Sequence, residues 1–249
     1  MADFDEALTE SVDEPQEHPV AGADWKHPTG KIPKSICILG LGATSADWHN
    51  AHTPYNPQVP KVDEVWAINK GIRTVRADMA FIMDDLIDEA RQSARYAEEI
   101  AAYDKPYLTS RVDAQVAERF PAAIEYPLKD VLTFWGAQLN WMRSGKKTID
   151  AGLAFELGRR EAGYFKNSVP YMLAYAGFIG VKQIAMFGCD YTFPGTQARE
   201  AGRANAEFWV GACRFGLGIQ FKFPSRTTLM DTCGEELKGY YGFNGRQPF

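Results

Sequence analysis

The segment Ser168–Tyr191, SVPYMLAYAGFIGVKQIAMFGCDY, constrains the fold of this chain more than any other. An apolar helix opens on Ser-Val-Pro. Ser168 reads as its cap, with Pro170 in the first turn, where a missing N–H does no harm. A glycine-containing turn leads into a short apolar strand, IAMFG, which ends in Cys189, Asp190 and Tyr191. A helix feeding a strand that is apolar throughout is the signature of a buried, parallel strand. Open α/β sheets bind ligands just outside the carboxyl ends of their strands. The first strand of the chain, SICILG from Ser35, also ends in a glycine-rich turn, Gly40–Ser45. Two such edges can form one crevice.

The rest of the chain repeats the alternation. VDEVWAIN (62–69) and ADMAFIMD (77–84) read as strands, and 85–103 carries an apolar stripe at helical spacing. Short strands are expected at 105–109 and 123–126, with a short helix at 113–120 between them. Helices are expected over 135–142, 149–165 and 197–215, and a last strand over 219–223. Gly152, Gly158 and Gly163 weaken the second of those helices. Strands alternating with helices mean an α/β fold with a mainly parallel sheet. Residues 1–33 are acidic, then rich in Pro and His, with no sustained periodicity. They are expected to form a mobile arm ahead of a single domain spanning 34–249.

Composition narrows the functional classes. A chain of 249 residues, 45% hydrophobic and 24% charged, can bury one sizeable core. Its net charge of −5 argues against a protein held to nucleic acid mainly by charge. Two local basic stretches, RSGKK (143–147) and Lys222–Arg226, leave room for a nucleic-acid contact. No apolar run approaches the ~18 residues of a membrane span, and no secretory leader is visible. Cys37, Cys189, Cys213 and Cys233 are scattered, which points to reduced thiols and a cytoplasmic protein rather than a zinc site or disulfide framework.

Several residues carry chemistry. The turn Gly40-Leu41-Gly42-Ala43-Thr44-Ser45 permits close backbone approach to a ligand, so Gly40, Gly42 and Ser45 are candidate nucleotide-binding residues. Asn69 closes the second strand and can hold a ribose or base through its amide. It is equally at home as a turn residue. Asp84 ends the third strand and should point into the crevice. It can contribute to a Mg²⁺ site, while Asp85 and Asp88 read as a cap and an exposed first-turn residue. Asn167 and Ser168 stand at a helix start able to receive a phosphate. Asp190 is the candidate general base, and Tyr191 and Arg203 are candidates for steadying a leaving phosphate. Arg199, Glu200, Arg203 and Glu207 also fit a salt-laced, solvated helix face. His49 and His52 lie in a long segment after the glycine turn that could cover the site.

Taken together, these motifs resemble a family. G-L-G-A-T-S after the first strand, Asn69 closing the second, S-V-P-Y-M-L-A-Y-A before the late strand and G-C-D-Y after it are similar to bacterial CMP-sialic-acid-dependent sialyltransferases. They are equally similar to a broader group containing motility-associated glycosylation proteins and the archaeal 6-hydroxymethylpterin pyrophosphokinase. The ADMAFIMDD stretch is nearer the second group. The resemblance covers 35–231 and looks like that of small phage-borne members. It implies a doubly wound, Rossmann-like domain that binds a nucleotide between the glycine turn, Asn69, Ser168 and Asp190–Tyr191. The expected activity is a nucleotide-dependent transferase, foremost a glycosyltransferase using a nucleotide-sugar donor on a glycan, a small molecule or a modified nucleic acid. The rivals are a Mg²⁺-dependent pyrophosphokinase and a non-catalytic nucleotide-binding or virion-associated protein; a homo-oligomer is compatible with each. The sialyltransferases carry a histidine base downstream of G-x-D-[FY], and this chain has no histidine after position 52. The base then falls to Asp190, with Asp84, Glu200 or a histidine of the covering segment as alternatives.

Overall fold

A computed structural model describes residues 25–51, 61–73, 76–191, 197–224 and 227–230. The expected arm as far as residue 24, His52 with most of the covering segment, Arg226, Cys233 and the C-terminal stretch lie outside the described residues, as do the side chains of Arg199 and Glu200.

The strands are β1 (Ser35–Leu39), β2 (Glu64–Ile68), β3 (Met79–Ile82), β4 (Tyr107–Thr109), β5 (Ala123–Glu125), β6 (Gln183–Phe187) and β7 (Gln220–Lys222). The helices are α1 (Ser45–Ala51), α2 (Leu86–Gln92), α3 (Ala94–Ala101), α4 (Ala114–Arg119), α5 (Leu128–Ser144), α6 (Ala151–Glu161), α7 (Ser168–Ile179) and α8 (Gln197–Leu217). The strands form one seven-stranded sheet in the order β5-β4-β3-β2-β1-β6-β7. Every pairing is parallel. The order reverses between β1 and β6, the switch point where doubly wound sheets bind ligands. The fold is the Rossmann-like α/β arrangement expected from the alternation.

Both faces of the sheet are covered, which explains the unbroken apolar runs. Alternate residues of β1 serve opposite cores. Ile36 and Ile38 join Trp66, Trp135, Tyr175 and Trp209 on the α5, α7 and α8 side. Cys37 and Leu39 join Tyr96, Tyr107 and Phe120 on the α1–α4 side. Helix α7 is buried almost all round, from Ser168 to Ile179, because it lies between the sheet and outer helices. Its uniform apolarity is the sequence mark of that position. No helix among the described residues is long and apolar enough to cross a membrane.

Four expectations change. The single helix over 85–103 is two, because Ser93 adopts an extended backbone and caps α3 through its side chain at the N–H of Tyr96. The helix expected at 135–142 starts at Leu128 and runs to Ser144. Of the glycines held to weaken the next helix, Gly158 serves packing: a Cβ on it would sit 1.9 Å from the carbonyl oxygen of Leu132, and one on Gly136 of α5 would sit 1.8 Å from that of Ala154. Helices α5 and α6 touch backbone to backbone there.

The fourth change concerns the boundary drawn at residue 33. His27 is buried, stacks on Tyr175 and hydrogen-bonds both its hydroxyl (2.8 Å) and Glu64 Oε2 (3.1 Å). Trp25 Nε1 donates to the same Tyr175 hydroxyl at 3.0 Å, and Thr29 donates to Glu64. Residues 25–33 therefore belong to the folded domain. Burial pulls the Glu64 carboxyl upward, but hydrogen bonds from His27, Thr29 and Trp66 outweigh it and hold the group below its usual value. His27→Ala leaves Glu64 and Tyr175 each short of a partner and is expected to cost about 1–3 kcal/mol. At ~2–4 °C per kcal/mol for a chain of this size, scanning calorimetry should show a clear fall in Tm. Because the folded Glu64 pKa is lowered, its stabilisation is complete above the usual value of 4.5 and is lost as the pH falls through the folded value.

Candidate functional site

A cavity of about 590 Å³ opens at the carboxyl edge of the sheet, across the switch point. Its wall includes Gly40 and Leu41 after β1, Asn69 after β2, Asp84 after β3, Gly188–Tyr191 after β6 and the start of α7. Of the candidate residues, Gly40, Asn69, Asp84, Asn167, Ser168, Asp190 and Tyr191 share this cavity, whereas Gly42, Ser45 and Arg203 do not line it.

The floor is a backbone interlock between the loops after β1 and β6. Gly40 N donates to Phe187 O and Gly42 N to Gly188 O, both at 2.8 Å. Gly188 has φ +64°, and a Cβ on it would stand 2.3 Å from the carbonyl oxygen of Gly40. A Cβ on Gly42 would lie 2.8 Å from both Asp190 Oδ2 and Gly188 O. The glycine turn is thus shaped by the neighbouring loop, and Ser45, the first residue of α1, packs against Gly188. Gly42 and Ser45 stand half-buried behind this contact and do not line the described cavity.

Asp190 locks the same two loops. Its Oδ2 accepts from Thr44 N at 2.7 Å, and its Oδ1 accepts from the Thr44 and Thr227 hydroxyls, each at 3.0 Å. The Thr44 hydroxyl in turn accepts from Gly188 N at 2.8 Å. A carboxylate with both oxygens held by fixed donors is a strut. These bonds give Asp190 a structural role between the two loops.

Helix α7 enters the site by its N-terminus. Asn167, not Ser168, is its cap: Asn167 Oδ1 accepts from Val169 N at 3.0 Å and also from the Tyr191 hydroxyl at 3.3 Å. Ser168 is the first helical residue, and its hydroxyl donates to Asn69 Oδ1 at 3.2 Å. Asn69 Nδ2 donates to Asp84 Oδ2 at 3.0 Å. Asn69 therefore ties the ends of β2 and β3 to the start of α7. It does so with φ +45°, a left-handed conformation uncommon for residues with a side chain.

Arg203 forms an ion pair with Glu207 at 2.9 Å along α8, at the i,i+4 spacing that favours such pairs. Its side chain does not line the described cavity. Asp85 caps α2 and pairs with Arg111, and Asp88 pairs with Arg91, as expected of residues outside the site. His49 is exposed on α1 and does not line the cavity. Arg143 of the basic turn is paired with Glu161.

Sequence reasoning missed Lys166, Phe165, Tyr171 and Gly202, all in the wall. Lys166 is the cation among the described lining residues, and its place just before the α7 cap was the available signal. Phe165 is sandwiched by Tyr171 and Trp209, with ring centroids 4.4 and 5.1 Å apart, which makes that side of the wall stiff. Burial raises the Tyr191 phenol above its ordinary pKa and pushes the Cys189 thiol up to about 12. Both are neutral at pH 7, so Tyr191 can donate a hydrogen bond and Cys189 is no thiolate nucleophile.

No family model matches the chain, and no curated protein matches it in sequence. Among solved structures, the chain is similar to the sialyltransferase CstII from Campylobacter jejuni in complex with cytidine-5'-monophosphate, at 13% identity over 79% of this chain and 82% of that one, with a TM-score of 0.43. The sialyltransferase CST-II with a trisaccharide acceptor and CMP is similar at 13% identity over 81% and 85%, with a TM-score of 0.44. An α-2,3-sialyltransferase from Campylobacter jejuni in apo form is similar at 16% identity over 80% and 76%, with a TM-score of 0.41.

Two variants test the interlock before any ligand is added. Asp190→Asn places an amide donor where three donors already converge. It is expected to lose about 1.5–3 kcal/mol, the worth of hydrogen bonds to a charged group. Gly42→Val overpacks the loop contact and should cost about 1–3 kcal/mol or more. Urea denaturation reads both; unchanged midpoints would show that the two loops are not coupled.

Proposed function

We propose that this protein is a nucleotide-dependent transferase of the glycosyltransferase kind, which takes a nucleotide-sugar donor in the switch-point cavity and passes the sugar to a hydroxyl acceptor. One observation carries the reading. The N-terminus of the buried helix α7 opens into the cavity beside Lys166, with the polar chain Ser168–Asn69–Asp84 along its wall. Helix N-termini attract phosphate through aligned dipoles and free N–H groups. The motif resemblance noted in the sequence points to the same class.

In this assignment the donor's phosphate lies against the start of α7, where Lys166 and the Tyr191 hydroxyl offset the charge that develops as the phosphate departs. Asn69 and Ser168 hold donor hydroxyls, and Gly40 lets the donor approach the backbone at the cavity floor. Asp190 acts at one remove, by holding the two loops at fixed spacing so that the reacting groups meet in line. The buried free thiols of Cys37, Cys189 and Cys213 suit a reducing cytoplasm. The acceptor is a glycan, a small molecule or a modified nucleic acid.

The pyrophosphokinase reading keeps one observation in its favour, since Asp84 is a carboxylate in the wall and carboxylates hold Mg²⁺ against phosphates. Asp85 and Asp88 are committed elsewhere, and among the described residues no group of three or more His, Cys, Asp or Glu converges as a metal site.

Calorimetric titration with CMP, UMP, GMP and ATP tests the class. Binding of a pyrimidine or purine monophosphate without added metal is expected. Asn69→Gly keeps the left-handed backbone while removing the amide, so it should weaken that binding by about tenfold or more, the worth of one or two hydrogen bonds, while the relieved backbone strain offsets the lost links to Asp84 and Ser168 in Tm. Binding of ATP alone, abolished by EDTA, would move the assignment to the pyrophosphokinase. Tight nucleotide binding without turnover of any nucleotide sugar would leave a binding protein.

A further inference from the structure

We propose that Asp84 is the general base of the transfer, a carboxylate in a wall that holds no histidine among the described residues. The inference rests on the transferase reading above and adds the group that activates the acceptor. The sequence holds four histidines. His27 is buried against Glu64 at the amino end of β2, and His49 is exposed on α1; neither lines the cavity. His18 and His52 lie outside the described residues. Two carboxylates line the described wall, Asp84 and Asp190. Asp190 is spent on Thr44 and Thr227.

Asp84 is different in each respect that matters for proton transfer. It is exposed at the end of β3, and a single hydrogen bond, from Asn69 Nδ2 to Oδ2, holds it. Oδ1 has no partner among the described residues. The Asn69 amide bridges two groups, donating to Asp84 at one end and accepting from the Ser168 hydroxyl at the other. Its N–H is the group presented to Asp84. Asn69 holds its left-handed backbone, φ +45°, with partners at both ends of its amide. Strain kept at a site by partners on both sides is a mark of pre-organisation. The result is an oriented anion with one oxygen free, bonded through Asn69 to the helix start proposed for the phosphate.

The step balances without a further reagent. Asp84 Oδ1 takes the proton of the acceptor hydroxyl as that oxygen bonds to the anomeric carbon. The bond from the anomeric carbon to the donor's phosphate oxygen breaks, and its electron pair leaves with the nucleotide. Asp84 returns the proton to solvent when the products depart.

The test uses the full chain and a panel of CMP-, UDP-, GDP- and dTDP-linked sugars, with nucleotide release read by chromatography and water serving as acceptor. Asp84→Asn keeps size and the contact to Asn69, so release should fall by about 10²–10⁴-fold, the usual worth of a general base, with nucleotide Kd and Tm little changed. Asp84→Ala leaves a gap that formate can fill; added formate should recover part of the rate in this variant and none in Asp84→Asn. Wild-type turnover that Asp84→Asn retains overturns the inference and leaves the transferase reading standing. Weakened nucleotide binding in Asp84→Asn, with no formate rescue in Asp84→Ala, also overturns it, since Asp84 would then be a binding residue. A wild-type protein that releases nucleotide from no donor overturns the transferase reading and this role together.

Discussion

The cavity depends on one contact, the meeting of two loop backbones at Gly40–Gly42 and Gly188. Parallel neighbours β1 and β6 send their following connections in opposite directions, and a crevice opens where they part. Left alone, two such loops would sample many spacings. Here the N–H of Gly42 reaches the carbonyl of Gly188 at 2.8 Å, and Thr44 and Asp190 repeat the link through side chains. Hydrogen bonds to a carboxylate, sheltered from water, are among the stronger links a loop can make. The glycines are needed because the backbones approach too closely for any Cβ.

A second constraint stands on the other wall. Asn69 sits in a conformation that costs about 1–3 kcal/mol, and its amide is bonded at both ends, to Asp84 and to Ser168. Three elements, β2, β3 and α7, are thereby held to one another by a single side chain. The interlock and Asn69 together fix both sides of the cavity, and α7 supplies a dipole directed between them. Positioning of this kind is how a site converts a bimolecular encounter into an ordered one.

Stability and function are divided between the two ends of the sheet. At the amino end, His27, Trp25 and Thr29 seal the start of β2 through Glu64 and Tyr175, a network that is buried and fully partnered at its centre. On one face, Gly136 and Gly158 let α5 and α6 lie against each other and stiffen the outer layer over α7. None of these residues lines the cavity. They hold α7 in place from behind, so that its N-terminus can face the cavity without loosening the core.

The sequence by itself determined the α/β alternation, the parallel sheet and the edge where the site lies. Those follow from periodicity: SICILG and IAMFG are apolar at every position because both faces of their strands are covered, and SVPYMLAYAGFIG is apolar all round because α7 is enclosed. Asn69, Asp84, Asn167, Ser168, Asp190 and Tyr191 were placed at that edge by the same reasoning, since each ends a strand or starts a helix. What each of them does was decided only by tertiary structure. Asp190 looks like a free acid until Thr44, 146 residues away, closes on it. Gly42 looks like part of an open turn until Gly188, 146 residues further on, closes on it. Residues 25–33 look like an arm because their partners, Glu64 and Tyr175, lie 35 to 150 positions further along the chain. A pattern of apolar spacing is local and can be read along the chain, whereas the chemistry of a polar side chain is set by the donors and acceptors that folding brings to it.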